Sequence, residues 1–131
     1  MEGFIADLLH AMGYDCTISP QGGDHGIDII AYKDDLPPRV VVQVKSGHDD
    51  IKEDKVQSLN GLLKEGDYGI FVTLTNYKKN ARKFIEDHPR IKGINGADLA
   101  DLIMKYYDGL SDEYKALIPL ERAYIPRVDK E

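Results

Sequence analysis

Three polar side chains, Asp28, Gln43 and Lys45, stand in strand-like sequence where core residues are expected. Asp28 lies between two isoleucines, and Gln43 and Lys45 flank Val44 after a run of valines. A carboxylate is a hard ligand for Mg²⁺, an amide oxygen can add to it, and an ammonium can orient water or stabilise developing negative charge. These residue types fit metal-assisted hydrolysis.

Two strands joined by a loop must position these side chains. The loop, residues 33–39, is rich in aspartate and proline, which are turn residues. Because strand side chains alternate between faces, Gln43 and Lys45 point the same way. A hairpin folded near Leu36 places Asp28 roughly opposite Val44, whereas a shift of one residue places Asp28 on the face of Gln43 or Lys45. The sequence leaves this register open.

The motif G-x-D-x-G-I-D, followed by Q-V-K, resembles the Mrr-like restriction endonuclease domains of the PD-(D/E)XK nuclease superfamily. In that branch, Gln replaces the acid of the second strand. The resemblance covers residues 2–102 and implies a phosphodiester-cleaving site with Mg²⁺, or Mn²⁺, as cofactor. It implies metal ligation by Asp28, the Val44 carbonyl and Glu2, and catalytic roles for Glu2, Asp28, Gln43 and Lys45. Gly22, Gly23 and Gly26 precede Asp28 and would let backbone come close to a ligand.

Glu2 opens a predicted helix over residues 2–12, at the edge of its apolar stripe. On spacing alone, Glu2 is either an acid favoured near a helix N-terminus or a site residue. The resemblance favours the site, because the family has a helical Glu at this distance before a Met-Gly-Tyr turn, and Met12-Gly13-Tyr14 follows here.

Four cations share one face of a predicted helix over residues 77–87: Lys78, Lys79, Arg82 and Lys83. Such a face is either solvated surface or a phosphate-binding surface, and the resemblance favours DNA contact. His48, close to Lys45 in sequence, is predicted to be a surface residue.

The predicted element order is α-β-β-β-α-β-α-β-α. This order indicates an α/β fold, a restriction-endonuclease-like three-layer sandwich with a mixed central β-sheet and helices on both faces. Residues 1–110 are predicted to form the nuclease domain, and residues 111–131 a C-terminal helix and tail packed on it, the tail docking through Tyr124 and Ile125. The remaining predicted elements are the strand 15–19, a turn at 20–23, the helix 52–64 ended by Gly66, the strands 68–74 and 91–94, the helix 96–107 and the short helix 111–117.

Composition bounds the class of protein. The 131 residues, 42% of them hydrophobic, suffice for one domain with a real core. A formal net charge of −6 argues mildly against nucleic-acid binding, although a local basic patch is compatible with it. Cys16 is the only cysteine, which excludes an intramolecular disulfide and predicts a buried structural thiol. The sequence contains neither a membrane-spanning apolar run nor a signal peptide, and cytoplasmic localisation is the expectation.

The leading hypothesis is a Mg²⁺-dependent DNA endonuclease, with DNA as partner and no membrane association. Mrr-like domains usually act beside a separate recognition domain, on the same or another chain, and none is visible here. The chain is therefore either a catalytic domain of a longer protein or a compact stand-alone nuclease. One alternative is an inactive nucleic-acid-binding or interaction module on the same fold, and another is a homodimeric nuclease resembling a Holliday-junction resolvase.

Overall fold

The computed structural model describes residues 1–19 and 26–117, and its elements follow the predicted order. The elements are α1 Glu2–Ala11, β1 Tyr14–Ile18, β2 Ile29–Lys33, β3 Leu36–Lys45, α2 Glu53–Leu62, β4 Tyr68–Thr73, α3 Lys79–Asp87, β5 Ile91–Ile94, α4 Gly96–Tyr106, a 3-10 turn Tyr107–Gly109 and α5 Asp112–Leu117. The predicted turn at 20–23 and the tail with Tyr124 and Ile125 lie outside the described residues. No helix of the described part is long and apolar enough to cross a membrane.

The five strands form one mixed sheet in the order β1-β2-β3-β4-β5. β2 is antiparallel to both β1 and β3, whereas β3, β4 and β5 are parallel neighbours. Parallel neighbours need a crossover, which α2 supplies between β3 and β4 and α3 supplies between β4 and β5. Consequently α2 and α3 both begin at the end of the sheet where β3 and β4 stop.

Helices cover both faces of the sheet. On one face, Leu8 of α1 and Leu99 of α4 pack with Val42 in a buried cluster. On the other face, α2 and α3 form a second cluster with β3 and β4, in which Leu59 packs with Phe71. The predicted three-layer sandwich with a mixed central sheet is confirmed.

The hairpin between β2 and β3 is tighter than predicted. The loop expected over residues 33–39 contracts to Asp34 and Asp35, whose φ angles of 57° and 60° are those of a two-residue hairpin turn. β3 already begins at Leu36, so both prolines lie in the strand rather than in the loop. Proline is tolerated at the start of a strand, and the turn signal of these prolines was therefore misleading.

The basic helix begins later than predicted, at Lys79 instead of residue 77. Tyr77 is buried and forms an isolated bridge with Ile51, and its hydroxyl donates to the Phe71 carbonyl at 2.7 Å. These contacts keep Tyr77 extended. Lys78 occupies the N-cap position of this helix.

The other boundaries move by one or two residues. α2 ends at Leu62, before the Gly66 that was expected to end it, and Gly66 instead adopts a φ of 86° in the following turn. Gly13, with a φ of 103°, follows α1 directly after its C-cap residue Met12, in the capping role predicted for it. α5 packs back on α1, where the rings of Phe4 and Tyr114 lie 5.4 Å apart.

A partly buried ion pair holds the first half of β3. The Arg39 guanidinium donates to both carboxylate oxygens of Asp67, the shortest bond being 2.6 Å, and the Lys64 N–H donates to the same carboxylate at 2.8 Å. The hydrogen bond from Arg39 holds the pKa of Asp67 below its usual range. This pair ties β3 to the segment that leads into β4.

Candidate active site

Asp28 is bound to the neighbouring strand at the point where β2 begins. Its N–H donates to the Val42 carbonyl at 2.9 Å, and its Oδ2 accepts from the Val44 N–H at 2.7 Å. These two bonds straddle Gln43, so Asp28 lies across from Gln43 rather than from Val44. The register that the sequence left open is therefore the shifted one.

The packing of the strands shows which face these residues occupy. Val42 and Val44 belong to the cluster under α1 and α4, whereas Val41 belongs to the cluster under α2 and α3. Alternation along β3 therefore directs Gln43 and Lys45 to the α2/α3 face.

Asp28 lies just before β2 and is fastened to the same end of β3. Ile29 and Ala31 of β2 pack under α1 and α4, whereas Ile27 packs against the α2/α3 cluster, so regular alternation does not extend back through residues 27 and 28. Gln43 and Lys45 share one face at one end of the sheet, and the Asp28 carboxylate is bonded to the β3 backbone between them.

Gln43 is enclosed. Its residue exposure is 7%, and its Oε1 is buried without a hydrogen-bond partner in the described structure. A buried acceptor that lacks a donor costs about 1–3 kcal/mol. Gln43 is therefore the side chain of this site that gains most from a cation or a water placed against its oxygen.

Lys45 opens onto a cleft of about 410 Å³ between the end of β3 and the first turn of α2. Lys45 itself is half-buried, and within the described part of the chain it makes no ion pair. Lys52 and Lys55 line the same cleft, together with Asp49 and Asp54. The sequence analysis placed these two lysines in the helix only. Their position just after the strand that ends at Lys45 could have indicated that they lie near the site.

The loop after Lys45 is fastened to the segment that precedes α3. The Thr75 hydroxyl donates to the Asp49 carbonyl at 2.9 Å, the Ile51 N–H to the Asn76 carbonyl at 2.9 Å, and the Lys78 N–H to the Ile51 carbonyl at 2.8 Å. The cleft and the basic helix therefore share one continuous surface. His48 is exposed in this loop, as predicted for a surface histidine.

The four cations predicted at α3 are all exposed, and Ala81 is buried beneath them. Arg82 also donates to the Tyr77 carbonyl at 3.2 Å, and Lys83 lies 3.5 Å from Asp87. Lys78 and Lys79 make no ion pair with any described residue, so their charges are available to an external anion.

Glu2 stands apart from this group. It is the first residue of α1, which packs on the opposite face of the sheet. β1 and β3 run in the same direction, and α1 runs antiparallel to β1, so the N-terminus of α1 lies at the Lys45 end of the sheet. Its side chain is 47% exposed, and its Oε1 lies 3.6 Å from the N-terminal amine, its only ion pair among the described residues. The structure shows no hydrogen bond or ion pair from Glu2 to Asp28 or Lys45, so its role in the site stays a prediction.

The oxygen donors fit Mg²⁺ better than Zn²⁺. Across residues 1–19 and 26–117, no three side chains of the His, Cys, Asp or Glu types gather as a metal cluster. The available donors are the Asp28 carboxylate, the Gln43 amide oxygen and the Val44 carbonyl, a hard and weakly charged set that suits an ion retaining several waters. Cys16 is half-buried on a distant strand, and burial raises the pKa of its thiol, which agrees with a structural role.

Fold and site together define a restriction-endonuclease-like nuclease domain. The chain belongs to the Mrr_cat family of restriction endonucleases, whose family model matches residues 1–103. The resemblance to Mrr-like domains of the PD-(D/E)XK superfamily is thereby confirmed.

One curated relative and two solved structures extend this comparison. The relative is the type IV methyl-directed restriction enzyme EcoKMrr of Escherichia coli (strain K12), which is 26% identical over 94% of this chain. The chain spans 43% of the length of that enzyme. The fold is similar to that of MspJI restriction endonuclease in complex with a 27-mer oligonucleotide, with a TM-score of 0.58 and 21% identity over 94% of this chain and 31% of that chain. It is also similar to that of the DNA modification-dependent restriction endonuclease AspBHI, with a TM-score of 0.63 and 15% identity over 89% of this chain and 33% of that chain.

Proposed function

We propose that this domain is a Mg²⁺-dependent DNA endonuclease that hydrolyses phosphodiester bonds at the Asp28–Gln43–Lys45 site. The observation that carries the proposal is the hydrogen bond that holds Asp28 against β3. Asp28 is bonded to the β3 backbone across from Gln43, and Gln43 and Lys45 lie on one face of that strand. In this proposal Mg²⁺, or Mn²⁺ in its place, neutralises phosphate charge and lowers the pKa of a bound water.

The side chains have separate roles in this proposal. Oδ2 of Asp28 is engaged by the Val44 N–H, which leaves Oδ1 as the anionic metal ligand, and the Val44 carbonyl and the Gln43 Oε1 add neutral oxygens. Lys45 orients the attacking water or stabilises the negative charge that develops on the phosphate. Glu2, which lies at this end of the sheet on α1, joins through water.

The DNA backbone is proposed to lie against α3. Lys78 and Lys79 project from its start, which is bonded to the loop that follows Lys45. The N-terminus of a helix carries positive potential, and here it adds to the two ammonium groups. The position of these cations lets one phosphate be held while a neighbouring phosphate reaches the site.

Plasmid cleavage tests the proposal. Wild-type protein should nick or linearise plasmid in Mg²⁺ or Mn²⁺ and be inactive in EDTA. Because the name of the Escherichia coli relative includes methyl-directed restriction, methylated and unmethylated plasmid should be compared, each in the same buffer.

Two variants locate the chemistry. Asp28→Asn keeps an acceptor for the Val44 N–H but removes the anionic ligand, so it should lose both metal binding and cleavage. Lys45→Ala should lose cleavage by at least about 100-fold and keep metal binding, because general acid–base or electrostatic assistance contributes about that much. Cleavage that survives Asp28→Asn would place the active site elsewhere.

A binding module without catalysis is the second candidate. The described site holds a single carboxylate, where catalytic metal sites of this kind commonly gather more charge, and the net charge of the chain is −6. Metal binding by calorimetry without cleavage of any plasmid would favour this candidate.

A further inference from the structure

Gly26 lies directly against the Gln43 side chain. A Cβ atom built on Gly26 would stand 3.2 Å from Gln43 Nε2, which is tighter than ordinary van der Waals contact, and 3.6 Å from its Cδ. The φ angle of Gly26 is 100°, a conformation that side-chain-bearing residues rarely adopt. The close approach expected of this glycine is therefore to a protein side chain.

Among the described residues, packing contacts border the Gln43 amide and its Oε1 accepts no hydrogen bond. The residue is 7% exposed. Gly26 borders the amide on its Nε2 side, while its would-be Cβ stands farther from Oε1, at 3.9 Å. If the amide shifted by a few tenths of an ångström, its oxygen would move relative to Asp28 on the adjacent strand.

We infer that Gly26 is a positioning residue, which holds the Gln43 amide so that its oxygen faces the metal or a metal-bound water. The inference rests on the proposed function. Gly26 acts through Gln43, and this role is distinct from its role in the turn. Its loss should change metal affinity first and cleavage only as a consequence.

Gly66 is a matched control for backbone strain. Its φ of 86° is similar, but nothing lies within 4 Å of a Cβ built there. Gly66→Ala therefore introduces left-handed strain without steric contact, whereas Gly26→Ala introduces both. The difference between the two variants isolates the contact with Gln43.

The experiment is a double-mutant cycle of Gly26→Ala and Gln43→Ala, read by calorimetric titration with Mg²⁺ and Mn²⁺ and by plasmid nicking. Gly26→Ala should weaken metal affinity by about 10-fold or more, as loss of a residue that orients a metal ligand does. On the Gln43→Ala background the same substitution should leave metal affinity unchanged, and Gly66→Ala should leave it unchanged in wild type.

The outcomes separate the two proposals. Equal losses of affinity from Gly26→Ala with and without Gln43 would overturn the positioning role while leaving the proposed function intact. A wild-type domain that binds neither cation would overturn both. If Gly26→Ala does not fold, recovery of the folded state on adding Gln43→Ala supports the contact, and a double variant that stays unfolded contradicts it.

Discussion

Replacing Gln43 by Glu tests the enclosed amide most directly. The substitution keeps the size of the side chain and restores the second carboxylate of the wider superfamily, but it puts a negative charge where the described residues offer the oxygen no donor. The neighbouring positions are Phe71 across the parallel pairing, Gly26 at its side and Asp28 across the antiparallel pairing, and the Asp28 carboxylate adds a like charge. Without metal, Gln43→Glu should therefore be destabilised.

The proton sets the upper limit of that cost. Protonating a carboxyl group with an ordinary pKa of about 4.3 at pH 7 costs about 3.7 kcal/mol. If burying the charged form costs more than this, the buried carboxyl takes up a proton instead. Since Lys45 lies on the same face and offsets part of the penalty, we expect a loss of about 2–3 kcal/mol in EDTA. The melting temperature should fall by roughly 10 °C. The deficit should shrink as the pH is lowered toward 4, because a carboxyl with a raised folded pKa keeps its proton in the native state.

Metal should reverse this loss. A cation that binds only the folded state stabilises it by about 2.7 kcal/mol at one hundred times its dissociation constant, and a second carboxylate lowers that constant. In thermal unfolding, Mg²⁺ should therefore raise the melting temperature of Gln43→Glu by more than that of wild type.

Gln43→Met is the matched neutral control. It removes the unpartnered oxygen, so in EDTA it should be at least as stable as wild type, and it should respond less to Mg²⁺. Equal stability of Gln43→Glu and wild type in EDTA would refute the enclosure of this side chain. An equal response of all three proteins to Mg²⁺ would show that position 43 does not face the metal.

Two further predictions concern the charges outside the site. Reversing Lys78 and Lys79 to Glu should weaken DNA binding for all sequences and reduce the slope of log affinity against log salt by about 0.9 per lost phosphate contact. Lys92→Glu, at the opposite end of the sheet, should change neither quantity. Equal effects at both places would show that α3 is not a specific phosphate-binding surface. The Arg39 hydrogen bond lowers the folded pKa of Asp67, so the pair contributes stability above the unfolded value of about 3.9 and loses it as the pH falls through the lowered folded value. Asp67→Asn should cost about 1.5–3 kcal/mol at pH 7 in thermal unfolding, and the cost should shrink as the pH falls below about 3.9; a deficit independent of pH would contradict the ionic origin.

The order of helices and strands was predictable because apolar periodicity determines it. The runs around Val42 and Phe71 alternate or stay apolar as buried strands do, and Leu8 and Leu59 recur at helical spacing. Each of these residues is buried as the pattern indicates. Errors occurred where a tertiary contact overrides the local signal, as at Tyr77, whose hydroxyl donates to the carbonyls of Phe71 and Ile94 on two neighbouring strands.

The chemistry of the site was predictable as a set of residue types and not as a geometry. Which residue stands across from Asp28 depends on its two hydrogen bonds to β3, one with the Val42 carbonyl and one with the Val44 N–H, and sequence does not specify such bonds. The enclosure of Gln43 depends on Gly26 approaching from a different segment. Both contacts link positions far apart in the chain, where periodicity carries no information.

The ion pair between Arg39 and Asp67 holds one end of β3, and the candidate site lies at the other end. Arg39 precedes Lys45 by six residues along an extended strand, a separation of about 20 Å. At that distance the free-energy effects of substitutions are additive to within a few tenths of a kcal/mol. A stability loss incurred at the end that carries Gln43 and Lys45, such as that from a carboxylate at position 43, is therefore open to compensation by better packing around Arg39 without any change in the geometry of the candidate site. In a lineage that alternates between Gln and Glu at position 43, the far end of the strand is where compensating substitutions are expected to accumulate.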